Sequence, residues 1–142
     1  MSKSGDHVVS IDQNDCWDLL SSHRVGRVAV TIRGHPMIFP VNYVVDDSMA
    51  DRSIVFRTAD GNKLDGLLHG PSTVFEIDEF DGENRRGWSV VAAGTSNVMT
   101  SGSAQRGALD AKTWRELDTW AFDEMSFAVR LTPTSVSGRR VG

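Results

Sequence analysis

Short runs of alternating apolar and polar residues, separated by glycine- and proline-rich turns, constrain the fold of this chain more than any other feature. From Arg27 to Arg33 the residues alternate, with Val28, Val30 and Ile32 on one side, as in a half-buried strand. Further strand-like segments are Met37–Val45, Ser53–Thr58, Thr73–Phe80, Trp88–Thr100, Phe127–Leu131 and Thr134–Arg140. This order predicts a mainly β, antiparallel barrel or α+β fold, because a doubly wound sheet would alternate strands and helices regularly.

Three residues mark irregular points in the predicted strands and turns. Gly34, in Gly34-His35-Pro36, predicts the turn of a hairpin between the first two strands. Pro40 cannot donate to a strand ladder, so it predicts an edge, a bulge or a stretch that faces a ligand. Gly94 lies inside a long strand, where it predicts a sharp bend or the close approach of another backbone.

Helical patterns are short and occur at three places. The first follows Asp12, a good N-cap residue, and buries a stripe of Cys16, Leu19 and Leu20 up to about His23. A second is predicted after Asn62, with Leu64, Leu67 and Leu68 buried, and a third after Asp110, with Trp114, Leu117 and Ala121. We expect a flexible N-terminus over residues 1–10 and a single domain over residues 11–142.

Composition excludes several classes of function. The net charge of −4 argues against general nucleic-acid binding, which depends on clustered Lys and Arg. With one cysteine, Cys16, and four scattered histidines, no metal site is predicted. No apolar run is long enough to span a membrane and no secretory leader is evident, so we expect a cytoplasmic protein without membrane contact. No hydrolase triad is indicated, and catalytic side chains remain unknown.

The segment that follows the third predicted strand offers groups that suit a phosphate. Arg57 can donate two parallel hydrogen bonds, Thr58 adds a hydroxyl and Lys63 adds a charge at the start of a helix. The same cations would also fit an ordinary solvated turn. Asn42 and Tyr43 could meet the polar edge of a planar ring, although both residue types are common on barrel exteriors.

The chain resembles the pyridoxamine 5′-phosphate oxidase-like, FMN-binding split-barrel family, and in particular its short actinobacterial-type members. The resemblance covers nearly the whole chain. The matching segments are Cys16-Trp17-Asp18-Leu19-Leu20, Val25-Gly26-Arg27-Val28-Ala29-Val30, Phe39-Pro40-Val41-Asn42-Tyr43-Val44-Val45, Val55-Phe56-Arg57-Thr58, Gly87-Trp88-Ser89-Val90-Val91 and Ser137-Gly138-Arg139-Arg140.

This resemblance implies a six- to seven-stranded antiparallel split β-barrel that forms a homodimer, with FMN bound between the subunits. The cofactor phosphate would lie near Arg57, Thr58 and Lys63. The flavin ring would lie along the second strand, at Pro40, Val41, Asn42 and Tyr43. Trp88 and Ser89 would come from the partner subunit.

The resemblance also implies an oxidoreductase that transfers hydride between the flavin and a small-molecule substrate or a reduced nicotinamide. One departure stands out, because Ala92-Ala93 occupies the stretch after Trp88-Ser89 where the family usually carries an arginine. Two alternatives stay open. The barrel could use the deazaflavin coenzyme F420 instead of FMN, or it could be a non-catalytic protein that binds flavin or haem.

Overall fold

The chain folds into seven β-strands and one α-helix over the residues that the computed structural model describes, which are 7–58, 66–67, 72–99 and 127–142. The elements are β1 (Val8–Ile11), α1 (Gln13–Ser22), β2 (Val25–Ile32), β3 (His35–Asp46), β4 (Ser53–Thr58), β5 (Thr73–Asp81), β6 (Arg86–Met99) and β7 (Phe127–Val141). Gly66 and Leu67 are also helical, and Leu67 is buried. The rest of the predicted second helix and all of the predicted third helix lie outside the described residues.

All strand pairings are antiparallel, and together they close a barrel. The sheet order is β1-β7-β4-β3-β2-β5-β6, and β6 pairs with β7 as well. β7 therefore has β6 on one side, and on the other it has β4 along Phe127–Leu131 and β1 along Gly138–Val141. The predicted mainly β split barrel is confirmed.

The barrel interior is apolar, and α1 covers part of it. Phe75, Phe56 and Leu131 are fully buried on the inner face of their strands. Cys16 and Leu20 of α1 are also fully buried in this core, as the predicted stripe requires. α1 begins as expected, since the N–H of Asp15 donates to the Asp12 carboxylate at 2.9 Å.

Pro40 and Gly94, the two irregular positions inside strands, have the geometry that the sequence predicts. β3 pairs with β2 as far as Asn42 and with β4 only from Tyr43 onward, so Pro40 lies where β3 has one described strand neighbour. The β6–β7 register shifts between Ala93 and Gly94. A methyl group on Gly94 would overlap the carbonyl oxygen of Thr132, so the two backbones approach too closely there for any side chain.

Three local features differ from the sequence interpretation. Residues 8 to 10 belong to β1 and pair with the end of β7, where the sequence predicts no strand. The β2–β3 turn is at Arg33 and Gly34, which have φ values of 52° and 80°, so His35 already lies in β3. β7 continues through Pro133, because this proline faces Gly94 at the bulge, where the ladder is already interrupted.

No helix among the described residues is long and apolar enough to cross a membrane.

Candidate functional site

Two of the predicted ligand-binding side chains, Asn42 and Arg57, lie on the outer face of the barrel at the end of the β3–β4 ladder. Tyr43 and Phe56 form the last pair of this ladder, and Asn42 of β3 and Arg57 of β4 are the residues immediately beyond it. Both side chains are half-buried. On its other side Arg57 pairs with Ala128 of β7, which is buried. A half-buried guanidinium beside an amide offers several N–H donors with reduced competition from water, which suits a phosphate or carboxylate.

Pro40 shares this outer face and is exposed, but three other predicted contacts point inward. Val41, Tyr43 and Thr58 are 7%, 1% and 6% exposed, on the core side of their strands. Because their side chains are buried in the barrel, these three residues could contact a ligand on the outer face only through their backbone.

Tyr43 is tied to the core through both its ring and its hydroxyl. The hydroxyl donates to the carbonyl of Leu20 at 2.5 Å, and the ring meets Phe75 edge-on at 4.7 Å. Burial raises the pKa of Tyr43, so the phenol stays protonated and keeps donating to α1. The side chain therefore anchors the C-terminal end of α1 to β3.

Lys63 lies outside the described residues. The helical pair Gly66–Leu67 nevertheless shows that helical structure follows β4, and the buried Leu67 ties this segment to the core.

Trp88 and Ser89 do not join Asn42 and Arg57 within one chain. Only β7 lies between β4 and β6, but Arg57 pairs with Ala128 whereas Ser89 pairs with Arg139, near the other end of β7, roughly 36 Å further along the strand. Trp88 packs edge-on against His23, with ring centroids 5.0 Å apart, whereas Ser89 lies on the outer face between Asp78 and Arg139. These two residues thus form a second, separate part of the candidate site.

Arg139 is an additional candidate that sequence reasoning did not assign to the site. It pairs with Ser89 of β6 and with Ser10 of β1, and it is exposed. Within the described ranges its side chain forms no hydrogen bond or ion pair. The tail of the chain belongs to the segments that carry the family resemblance, but only the strand register shows that Arg139 lies beside Ser89.

A buried polar network stabilises the outer face near Asn42 and Arg57. Arg130 of β7 donates to the carboxylate of Asp46 at 2.9 Å and also to the hydroxyl of Ser53. The N–H and hydroxyl of Ser48 donate to the same carboxylate. Burial opposes the ionisation of Asp46, but the hydrogen bonds from Ser48 and the Arg130 charge outweigh it and lower its pKa. The network links β3, β4 and β7 on the same outer face, further along the strands from Asn42 and Arg57.

A second network of charged residues crosses the outer face between β2 and β5. Arg27 donates to Glu76 at 2.8 and 3.0 Å and to Asp78 at 2.7 Å. Burial and the neighbouring Asp78 raise the pKa of Glu76, although Arg27 partly offsets this effect. The acidic outer face of β5, unusual for a barrel wall, is therefore partly compensated by one guanidinium that bridges two carboxylates. No cluster of possible metal ligands occurs in the part of the chain that the structure describes.

The closed antiparallel barrel, with the half-buried Asn42 and Arg57 on its outer wall, has a split-barrel fold. The family model described as pyridoxamine 5′-phosphate oxidase matches residues 12–140. The chain therefore belongs to the pyridoxamine 5′-phosphate oxidase family, as the resemblance predicts.

Individual relatives agree with this membership. The uncharacterised protein Rv0080 of Mycobacterium tuberculosis is 29% identical over 98% of this chain and 89% of its own length. A conserved protein of unknown function from Corynebacterium diphtheriae, DIP1874, has a TM-score of 0.76 at 32% identity, covering 95% of this chain and 98% of that one. An FAD-binding protein from Mycobacterium smegmatis has a TM-score of 0.65 at 29% identity, covering 96% and 100%.

Proposed function

We propose that this protein binds FMN on the outer wall of the barrel, as a homodimer, and acts as a flavin-dependent oxidoreductase. The observation that carries the proposal is the placement of Arg57 beside Asn42 at the end of β4, in a chain that belongs to this family. The related M. smegmatis protein is an FAD-binding protein, which supports a flavin as the ligand class. A flavin would supply the hydride-accepting and hydride-donating chemistry.

The residues present fit the phosphate end of such a ligand. The guanidinium of Arg57 can donate two N–H groups to phosphate oxygens, and its partial burial strengthens such charge-assisted bonds. Lys63 would add a second charge from the segment after β4. Since the Thr58 side chain faces the core, we assign it no phosphate contact through its hydroxyl.

The planar part of the ligand would lie along β3. The Asn42 amide can donate and accept hydrogen bonds at the polar edge of a ring. Pro40 presents an exposed surface that needs no hydrogen-bond partner, which suits contact with the apolar portion of the ring system. Val41 and Tyr43 would contribute backbone groups, because their side chains are buried in the barrel.

We assign Trp88, Ser89 and Arg139 to a second copy of the chain. In one chain they lie well away from Arg57, so a site that uses both groups requires either a long ligand or a neighbouring subunit. Arg139 would also supply a positive charge in place of the arginine that the family usually carries where this chain has Ala92 and Ala93. Exposed apolar side chains on the outer wall support an interface, since Val25 and Val91 on either side of β5 are 51% and 37% exposed.

The first test is the ligand that co-purifies with the protein. The visible spectrum and the mass of the released ligand would distinguish FMN from FAD, the deazaflavin coenzyme F420 or haem. Titration of the ligand-free protein with FMN, followed by flavin fluorescence, would then give an affinity. We expect Arg57→Ala to weaken FMN binding by roughly tenfold or more, as expected for loss of a charge-assisted contact.

Arg33→Ala is the matched control, since Arg33 is an exposed arginine on the β2–β3 turn. FMN affinity that is equal in wild type and Arg57→Ala would overturn the phosphate assignment. Oxidation of reduced nicotinamide by the FMN-loaded protein tests the enzymatic part of the proposal, and a flavin that binds but never turns over would favour the non-catalytic alternative.

The subunit assignment has its own test. Light scattering should give twice the 15.6 kDa chain mass. We expect Val91→Glu to yield monomers with weakened FMN binding, because the charge would be placed within the interface. Met49→Glu is the control, since Met49 is 57% exposed on the β3–β4 turn, away from this face. A wild-type protein that is monomeric when fully loaded with FMN would rule out the shared site.

A further inference from the structure

A cleft that is distinct from the proposed flavin site lies at a gap in the barrel wall, away from Asn42 and Arg57. β4 pairs with β7 only as far as Leu131, and β1 pairs with β7 only from Gly138 onward. Over residues 132–137, no strand in the described part of the chain therefore borders this side of β7. A cleft of about 680 Å³ lies over the gap, a volume typical of small-molecule sites. Its walls include Gln13, Trp17, Asp51, Arg52, Thr132 and Ser135.

The cleft contains a cation that is held in place by an aromatic ring. The guanidinium carbon of Arg52 lies 5.3 Å from the centre of the Trp17 ring, within the range of a cation–π contact. Trp17 itself packs against the hydrophobic core, which fixes its position. Arg52 makes no ion pair with a carboxylate among the described residues. Its N–H donors are consequently available at the edge of the guanidinium, where they can bind a carboxylate bidentately.

The β7 wall adds a backbone carbonyl that points into the same cleft. The side-chain amide of Gln13 donates to the carbonyl of Val136, so this carbonyl faces the gap. Thr134 is the extra residue of the β6–β7 bulge, and its hydroxyl donates to the carbonyl of Ala93 at 3.2 Å. The Val136 carbonyl can accept a second hydrogen bond, and here a ligand could donate it. Asp51 also lines the cleft. A ligand that places an anionic group at Arg52 and a hydrogen-bond donor at the Asp51 carboxylate would therefore complement both side chains.

We propose that this cleft binds a small planar carboxylate that also carries a hydrogen-bond donor. The carboxylate would be bound by Arg52, the planar part would lie near Trp17, and the donor would meet Asp51 or a β7 carbonyl. The site is independent of the proposed flavin site, because its residues belong to α1, the β3–β4 turn and the middle of β7.

The test uses the full-length protein and 4-hydroxybenzoate as the probe. In ¹H–¹⁵N spectra, the Trp17 indole N–H signal, assigned through Trp17→Phe, should shift on titration up to about 10 mM probe, a range that detects weak binding. The neutral isostere 4-hydroxybenzamide should cause no such shift. Absence of a Trp17 shift, or equal shifts with the amide, would overturn the proposal.

Variants separate charge recognition from general surface effects. We expect Arg52→Gln to weaken probe binding by roughly tenfold or more, and Arg52→Lys to weaken it less, because lysine keeps the charge but not the forked donors. Arg85→Gln, at an exposed arginine in the β5–β6 turn, is the control. If Arg85→Gln and Arg52→Gln weaken binding equally, the assignment to Arg52 is wrong. FMN affinity should be unchanged in Arg52→Gln, so this test is independent of the proposed function.

Discussion

Arg130 and Asp46 form an ion pair at 2.9 Å although their strands, β7 and β3, are separated by β4. The pair spans the intervening strand because Ser53 of β4 accepts a hydrogen bond from the same guanidinium nitrogen. Asp46 is 2% exposed, so its charge depends on these partners. The pair and Ser53 thereby hold three strands together on the outer face that also carries Asn42 and Arg57.

Asp46→Asn should destabilise the protein by about 3 kcal/mol at neutral pH, because it leaves Arg130 buried without its counter-charge. The folded pKa of Asp46 is lowered, so its stabilising effect is complete above the ordinary value of 3.8 and is lost as the pH falls through the folded value. Urea denaturation at several pH values should show the two proteins converging in acid. Asp47→Asn, at the exposed neighbour, should have little effect. A constant difference at all pH values would contradict the role of ionised Asp46.

Tyr43→Phe should cost about 1 to 2 kcal/mol of folding stability, since the Leu20 carbonyl loses a buried donor. FMN affinity should not change, because the hydroxyl faces α1 and not the outer wall. Thermal denaturation and FMN titration of the same variant check both points. Weakened FMN binding at unchanged stability would show that the phenol contacts the ligand after all.

Gly94→Ala should destabilise the barrel by at least about 2 kcal/mol, because the added methyl group would also lie 2.6 Å from the Cα of Pro133. Gly82→Ala is the matched control, since a methyl group there meets nothing within 4 Å. This control should change stability by no more than about 0.5 kcal/mol. Urea denaturation measures the stability of both variants. Equal stabilities of Gly94→Ala and Gly82→Ala would mean that the β6 and β7 backbones can move apart to accommodate the methyl group.

Arg27→Gln should reduce stability by about 1 kcal/mol near pH 8, with a smaller loss near pH 5. Without the guanidinium, Glu76 and Asp78 repel each other, and the pKa of Glu76, already raised by burial, should rise further. A raised carboxyl pKa means that the protonated form is favoured in the folded state, so the destabilisation grows as the pH rises through the folded pKa. Urea denaturation of the wild type and Arg27→Gln at pH 5 and pH 8 tests whether the loss of stability grows with pH. A larger loss at pH 5 would contradict it.

Local sequence patterns predicted most of the barrel correctly. The strand at Ser53–Thr58 has the predicted bounds, and the bend at Gly94 and the single strand neighbour at Pro40 follow from the chemistry of these two residues. β1 was not predicted, because a strand of four residues before a helix cap shows no clear alternation. β7 was predicted as two strands because a proline usually ends a ladder, and only the facing bulge explains why Pro133 does not.

The candidate site was less predictable, because it depends on which face of each strand is turned outward. Asn42 and Tyr43 both carry hydrogen-bonding groups, but Asn42 lies on the outer wall whereas Tyr43 is buried and donates to the carbonyl of Leu20. Likewise, Arg139 and Ser89 are 50 positions apart and meet only through the β6–β7 register. Trp17 and Arg52 have no sequence signal that connects them.

β7 follows every other strand in the chain, and it borders β6, β4 and β1. During synthesis, none of these three strands can acquire its β7 neighbour until β7 itself has emerged from the ribosome. Because such long-range pairing is slow and exposes strand edges in the meantime, the nascent barrel should depend on chaperones more than its small size suggests.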